Sequence, residues 1–262
     1  MKKSLKITAI FVVVIIILIV GYFLLKGKTL KTDSSEVKEL YSYLGSNDLS
    51  ICNGLVVYSD KEVTVSSLEE QDKLCIAYSL INKDKISSLK LSPEKNKDKC
   101  NVAELIDFPV DDKDANMCNI TKFSAQDIKD NYKKIYNQEL KDLSSFNYDI
   151  RFICMSDGEF YYCGSLEEFT VTVGSEPKVY RSIEKVLDKG NTIEIYDYFI
   201  KVINKECYSN YTTDNKNDLC SSKFDEGKVY YKFLKKYGTH YKHTYIKDND
   251  GNYHWSKSEP IK

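Results

Sequence analysis

The sequence predicts an α+β protein: an N-terminal single transmembrane helix, then an extracytoplasmic domain of antiparallel hairpins with packed helices, expected to be disulfide-bonded. Three observations predict it. An unbroken apolar run from Ile7 to Leu25 stands almost at the start of the chain, and all eight cysteines lie beyond it. Past that run, helical and alternating apolar periods succeed one another irregularly, with no βαβ alternation and no internal repeat.

The run is long enough to span a bilayer. Its nineteen residues, at about 1.5 Å of rise each, cover roughly 28 Å, close to the ~30 Å hydrocarbon core. A cleavable signal peptide has a shorter core, of about 7 to 15 residues, with small residues at the cut. Here the core continues through Tyr22, Phe23, Leu24 and Leu25 into Lys26 with no A-x-A, and no cysteine follows closely enough for lipoprotein processing. An uncleaved signal anchor is therefore expected. Lys2, Lys3, Lys6 and the α-amino group precede the span, and Lys26, Lys28 and Lys31 follow it. With so short a tail in front, the expected topology is a cytoplasmic N-terminus and an exterior C-terminal domain at the cell membrane. Residues 1–6 are the cytoplasmic tail, 7–25 the anchor, 26–35 a polar tether, and 36–262 the exterior domain, with a subdivision expected near 110–123. The span has no charged residue and no G-x-x-x-G face, so a transport or proton-relay role has no support in it.

The cysteines favour the same topology. Cys52, Cys75, Cys100, Cys118, Cys154, Cys163, Cys207 and Cys220 form an even, scattered set without a CxxC, which in an exterior domain reads as disulfides. The histidines sit only at 240, 243 and 254, so no zinc spacing exists. Neighbour pairing is expected for Cys100 with Cys118, Cys154 with Cys163 and Cys207 with Cys220, each closing a short polar or turn-like loop. Cys52 with Cys75 is what remains.

Charge excludes one class of partner. With 38 basic and 39 acidic residues there is no basic surplus or stripe, so no nucleic acid is expected. The 21 tyrosines, with abundant Lys, Asn and Ile, look like an A+T-rich coding background, not a base-stacking platform.

Element by element, Ser35 is placed to cap a helix from Glu36 to Leu44, with Val37, Leu40, Tyr41 and Leu44 on one face and Gly45 as its stop. Leu55 to Tyr58 and Glu62 to Val65 suggest short strands. Ser66 and Ser67 before Glu69 and Glu70 form a capping-box pattern for a helix to about Ile81, with Cys75 inward. The stretch from Asn82 to Asn116 looks loop-rich apart from Val102 to Val110. Ser124 opens a helix carrying Ile128, Tyr132, Ile135 and Tyr136. Tyr148 to Cys154 and Glu159 to Cys163 flank Asp157-Gly158 as a hairpin; with Gly158-Glu159 as the loop the two cysteines are directly opposite, and with Asp157-Gly158 they are diagonal. Phe169 to Val173 alternates as a strand. Val179 to Leu187 fits helix or strand, and strand is preferred because Asp188 to Asn191 turns into the β-rich Thr192 to Ile203. Asp225 is placed to cap a last helix with Val229, Tyr230, Phe233, Leu234 and Tyr237 on its stripe, ended by Gly238. Thr239 to Ile246 and Asn252 to Lys257 form a terminal hairpin. A helix packed on one curved antiparallel sheet, as in cystatin-like or NTF2-like folds, accommodates this order, an architectural analogy that confers no function.

No catalytic, cofactor-binding or metal-binding residue emerges. The turn Asp248 to Asn252 resembles part of a calcium loop, but with Gly251 at the sixth position Ile246 and Lys257 fall where carboxylates are required. His243 and His254 are expected on one face of the terminal hairpin, with His240 pointing away and Ile246, Tyr253 and Trp255 lining the other face, Trp255 as core. GxSxG, GxGxxG and Walker patterns are absent. The acidic neighbours Glu167-Glu168 and Asp111-Asp112 are solvated charge. These readings leave an exterior binding or interaction module, tethered to the membrane, for a protein or cell-surface partner. The alternative is an extracytoplasmic hydrolase with a dispersed site. A receptor ranks last, since six cytoplasmic residues cannot make a signalling domain.

Overall fold

The computed structural model describes residues 27–45, 54–92, 95–96, 99–100, 118–141, 146–147, 152–165, 177–212 and 215–261. The elements run β1 (Lys28–Leu30), α1 (Ser35–Ser42), β2 (Val63–Thr64), α2 (Glu70–Ser79), β3 (Ser87–Leu91), β4 (Cys118–Ser124), α3 (Ala125–Tyr136), β5 (Phe146–Asn147), β6 (Phe152–Ser156) and β7 (Phe160–Ser165). They continue with β8 (Lys178–Asp188), β9 (Thr192–Ile203), β10 (Glu206–Tyr208), α4 (Asp218–Ser221), α5 (Tyr231–Tyr237), β11 (Thr239–Lys247) and β12 (Tyr253–Ile261). The fold is mixed α+β with antiparallel pairing throughout. The expected span Ile7–Leu25, Cys52 and the strand Phe169–Val173 lie outside the described residues. Among those described, no helix is long and apolar enough to cross a membrane.

The strands form two sheets, so the analogy with a helix on a curved antiparallel sheet does not cover the whole fold. The larger has the order β1-β8-β9-β11-β12-β2, with β10 also pairing β9, and the smaller is β3-β4-β7-β6-β5. Helices α1, α2 and α3 share one core with the inner faces of both, joining Val37, Leu40, Ile76, Ile128 and Ile135 to Ile195, Tyr245 and Trp255 on one side and Phe123 and Tyr161 on the other. A second cluster covers the opposite face of β9, where Tyr198, Ile200 and Val202 meet Phe233 and Leu234 of α5. This is why β9 alternates in burial over its first half and is buried on both faces over its second.

Local signals explain most elements. Ser124 caps α3, its hydroxyl accepting from the Gln126 amide, and Ile128, Tyr132, Ile135 and Tyr136 are all buried. In the β6–β7 hairpin the Asp157 amide bonds the Phe160 carbonyl, which makes Gly158-Glu159 the loop and sets Cys154 directly opposite Cys163. Their α-carbons stand 4.1 Å apart and the disulfide is formed. Cys100–Cys118 and Cys207–Cys220 are also bonded, and Cys75 is a buried half-cystine. Val179 to Leu187 is strand, paired along its length with β9.

Other signals were outcompeted. Ser34, not Ser35, caps α1, accepting from the Val37 amide. Leu55 to Val57 is a 3₁₀ turn, not a strand. Gly54 turns the chain inward there with a φ of 70°, and a β-carbon on it would lie 2.6 Å from the Ile76 side chain. Leu55, Val57 and Tyr58 are thereby buried together, which the alternating sides of a surface strand would not allow. The capping box before α2 does not form: Ser67 exchanges hydrogen bonds with Thr64, and α2 starts after Glu69 without a side-chain cap. β3 occupies part of the stretch read as loop. Asp225 caps a 3₁₀ turn at Glu226–Lys228, ahead of α5. In the stretch expected as a tether, Lys28–Leu30 pair with Val186–Asp188 of β8.

Candidate functional site

Two groups of polar side chains stand out, one sealed and one open, and both use the β11–β12 hairpin. The sealed group begins with strand periodicity. Ile193, Ile195, Asp197 and Phe199 share the inner face of β9, so Asp197 projects into apolar core and has no solvent exposure. An unpaired carboxylate there would cost several kcal/mol, so its partners decide whether the fold tolerates it. Tyr58 donates to Oδ2 at 2.7 Å, Tyr41 of α1 donates to the same oxygen, and His243 Nε2 lies 3.0 Å from Oδ1. Burial pushes the Asp197 carboxyl up, but His243 and the two phenols outweigh it and hold the group below the usual carboxylate range. Burial and the Asp197 charge together push the Tyr58 hydroxyl well up, keeping it a donor.

The chain of bonds continues through His243. Its Nδ1 lies 2.6 Å from Ser258 Oγ, which also accepts from Trp255 Nε1 at 3.0 Å. Asp197, an ionised carboxylate, can only accept, so His243 donates to it from Nε2, and Ser258 joins the other ring nitrogen to the indole. Arg181 closes the other side, its guanidinium 4.7 Å from the Tyr41 ring centre and donating to the Leu44 and Gly45 carbonyls. Asp, His and Ser are the residue types of a hydrolytic triad, but there the serine bonds Nε2 and the aspartate Nδ1, the reverse of the connection here. Asp197, His243 and Ser258 are also all fully buried, so no substrate carbonyl reaches Ser258 Oγ. The network acts as a fastener, tying α1 and the turn at 55–58 to four strands, β8, β9, β11 and β12.

The open group is a cleft of about 500 Å³ between α1, the end of α3 and the β11–β12 turn. Glu36, Glu39 and Tyr43 form one wall, Asp130, Lys133 and Lys134 another, and Asp250 to Tyr253 the rim. His254 lies at its base: Nδ1 is 2.8 Å from the Lys134 carbonyl and Nε2 is 2.9 Å from Asp248 Oδ2. Both partners are acceptors, a geometry that an imidazolium satisfies at both ends. Asp248 also accepts from the amides of Asp250 and Asn252, and the His254 bond, ahead of these, lowers its carboxyl to about 2. Its oxygens are thus committed to its own turn, and among the described residues no group of three His, Cys, Asp or Glu could hold a metal ion. Lys134 and Glu39, 2.7 Å apart, bridge two walls of the cleft.

The histidines depart from expectation. The turn closes with Asp248 bonded to Asn252, a three-residue loop, so His254 pairs with Ile246 and faces away from His243 instead of sharing its face. A bulge at Ser256 then shifts the register, so that Thr244 faces Lys257 while Tyr245 faces Trp255. Trp255 therefore shares the core face with His243, whereas Ile246 is on the outer face and 49% exposed. His240 does point away, stacked on Tyr198 and 3.1 Å from Glu184.

Asp197, Tyr58, Arg181 and Ser258 were not singled out from sequence. A signal existed for Asp197, a lone charge at an apolar-face position within Ile195-Tyr-Asp-Tyr-Phe-Ile200, and Arg181 is one of only two arginines. For Ser258 there was none, because the bulge brings it into line. Comparison with protein-family models, curated proteins and solved structures gives no match.

Proposed function

We propose that this chain is a single-pass membrane protein whose disulfide-bonded exterior domain is a binding module and not an enzyme. The observation that supports the reading is the division between the two polar groups: Asp197, His243 and Ser258 are sealed inside, while in the open cleft Lys134 is paired with Glu39 and Asp248 with His254. Such a surface offers complementarity to a partner without an activated group. The anchor rests on the Ile7–Leu25 run, and the exterior location on the three disulfides Cys100–Cys118, Cys154–Cys163 and Cys207–Cys220.

Two measurements test it. Protease added to intact cells should remove the domain downstream of residue 26, whereas full protection would place it inside. Crosslinking from the native membrane, wild type beside Glu36→Lys/Asp250→Lys, should capture a stoichiometric partner only with the wild type. Equal capture by both would remove the cleft from the reading, and turnover on a hydrolase panel that survives Ser258→Ala would replace it with an enzyme whose site lies elsewhere.

A further inference from the structure

The anchor and the main sheet are joined with almost no slack. β1 starts at Lys28, opposite Asp188, and runs away from the β8–β9 turn to Leu30 opposite Val186. The chain is fixed one residue earlier, at Gly27, whose φ is 67° and where an added β-carbon would stand 2.9 Å from the Asp188 carbonyl oxygen. Only Lys26 separates that point from Leu25, the last residue of the apolar run. Two residues of extended chain reach about 7 Å, and the headgroup layer on one side of a bilayer is itself roughly 5–7 Å deep.

From this we infer that the end of the main sheet made by the β8–β9 and β11–β12 turns is seated directly on the lipid headgroup layer. The proposal rests on the anchor reading above. The two turns form one end of the sheet: the Lys247 amide bonds the Asn191 carbonyl at 2.9 Å, and Tyr253 Oη donates to the Gly190 carbonyl at 2.9 Å. Their surface suits a headgroup layer. Lys28 and Lys247 are exposed beside the turns, Tyr253 brings a half-buried ring with a polar tip, and Ile246 stands as an exposed large apolar side chain two residues from the turn. The cleft shares the β11–β12 turn as its rim, so it opens at the membrane surface. Its ligand is then met there and not in bulk solvent. The opposite end, with the Asn204-Lys205 turn, is held away by the eleven residues of β8, about 37 Å at ~3.4 Å each.

The test uses the full chain in nanodiscs that contain a lipid with a gadolinium-chelating headgroup, read by amide signal loss. Gly190, Asn191, Asn249 and Gly251 should lose most of their intensity, while Asn204 and Lys205 keep theirs. A flexible Gly/Ser insert of about ten residues between Lys26 and Gly27, with a root-mean-square span of roughly 17 Å, should remove the contrast. Equal loss at both ends, or unaffected turns in a chain that co-elutes with nanodiscs, overturns the seating and leaves the anchor standing. A chain that elutes free of nanodiscs overturns both.

Discussion

Two histidines of the terminal hairpin pair with aspartates at nearly the same distance, 3.0 Å for His243 with Asp197 of β9 and 2.9 Å for His254 with Asp248 of its own turn, yet the pairs do different work. The first has no solvent exposure and completes a chain of six side chains from Arg181 to Trp255. The second is largely covered, its side chains 11% and 13% exposed, but it borders the cleft and holds a turn against the end of α3. Donor, acceptor and distance are alike, so environment sets the value. In the interior, losing one partner strands the other without water to replace it, whereas at the cleft water substitutes.

The largest expected effect is therefore at Asp197. Replacement by Ala leaves the Tyr58 hydroxyl and His243 buried without their acceptor, and should lower unfolding free energy by about 3–5 kcal/mol, read from urea midpoints. A midpoint within error of wild type would show that the network does not hold α1 to the sheet.

Next comes Ser258→Ala, which orphans Trp255 Nε1 and His243 Nδ1 and should cost about 1–3 kcal/mol. The same residue sharpens the sealed-versus-open distinction. A serine-reactive phosphonate should leave native protein unlabelled, and modification of Ser258 would mean that the interior opens to substrate.

A smaller effect is expected in acid. Both carboxyls titrate below their unfolded value in the folded state, so each contributes stability that is present above about pH 4 and is lost as pH falls through the folded value. For Asp248 that window runs down to about pH 2. His254→Gln removes the main cause, and carboxyl chemical shifts should then show Asp248 titrating closer to an ordinary aspartate. An unmoved titration would assign the lowering to the turn amides instead.

The smallest is the stability change of His254→Gln itself near neutral pH, expected below that of Ser258→Ala. An equal or larger loss in the same urea series would erase the contrast between the pairs.

Legibility followed the range of the determining interaction. The cap at Ser124, the strand Thr192–Ile203 and the Cys154–Cys163 rung depend on neighbours a few residues apart, or on a hairpin whose turn is written as Asp157-Gly158. Ser67 carried as good a local signal, but Thr64 competed for it. The strand expected at Leu55–Tyr58 failed because Gly54 folds that segment onto α2 and the core takes all its apolar residues at once.

An α+β chain of antiparallel hairpins and the helix after Ser124 follow from the residues alone, because periodicity and turn chemistry act over a few positions; the neighbour cysteine pairs were a preference among many, and the fold selected them. The meeting of Asp197, Tyr58, His243 and Ser258, and the turning of His254 to the cleft, came from packing across the sheets. One residue in the loop at Asn249–Gly251 and one in the bulge at Ser256 reverse which face a strand position takes, and pairing along the whole hairpin selects them.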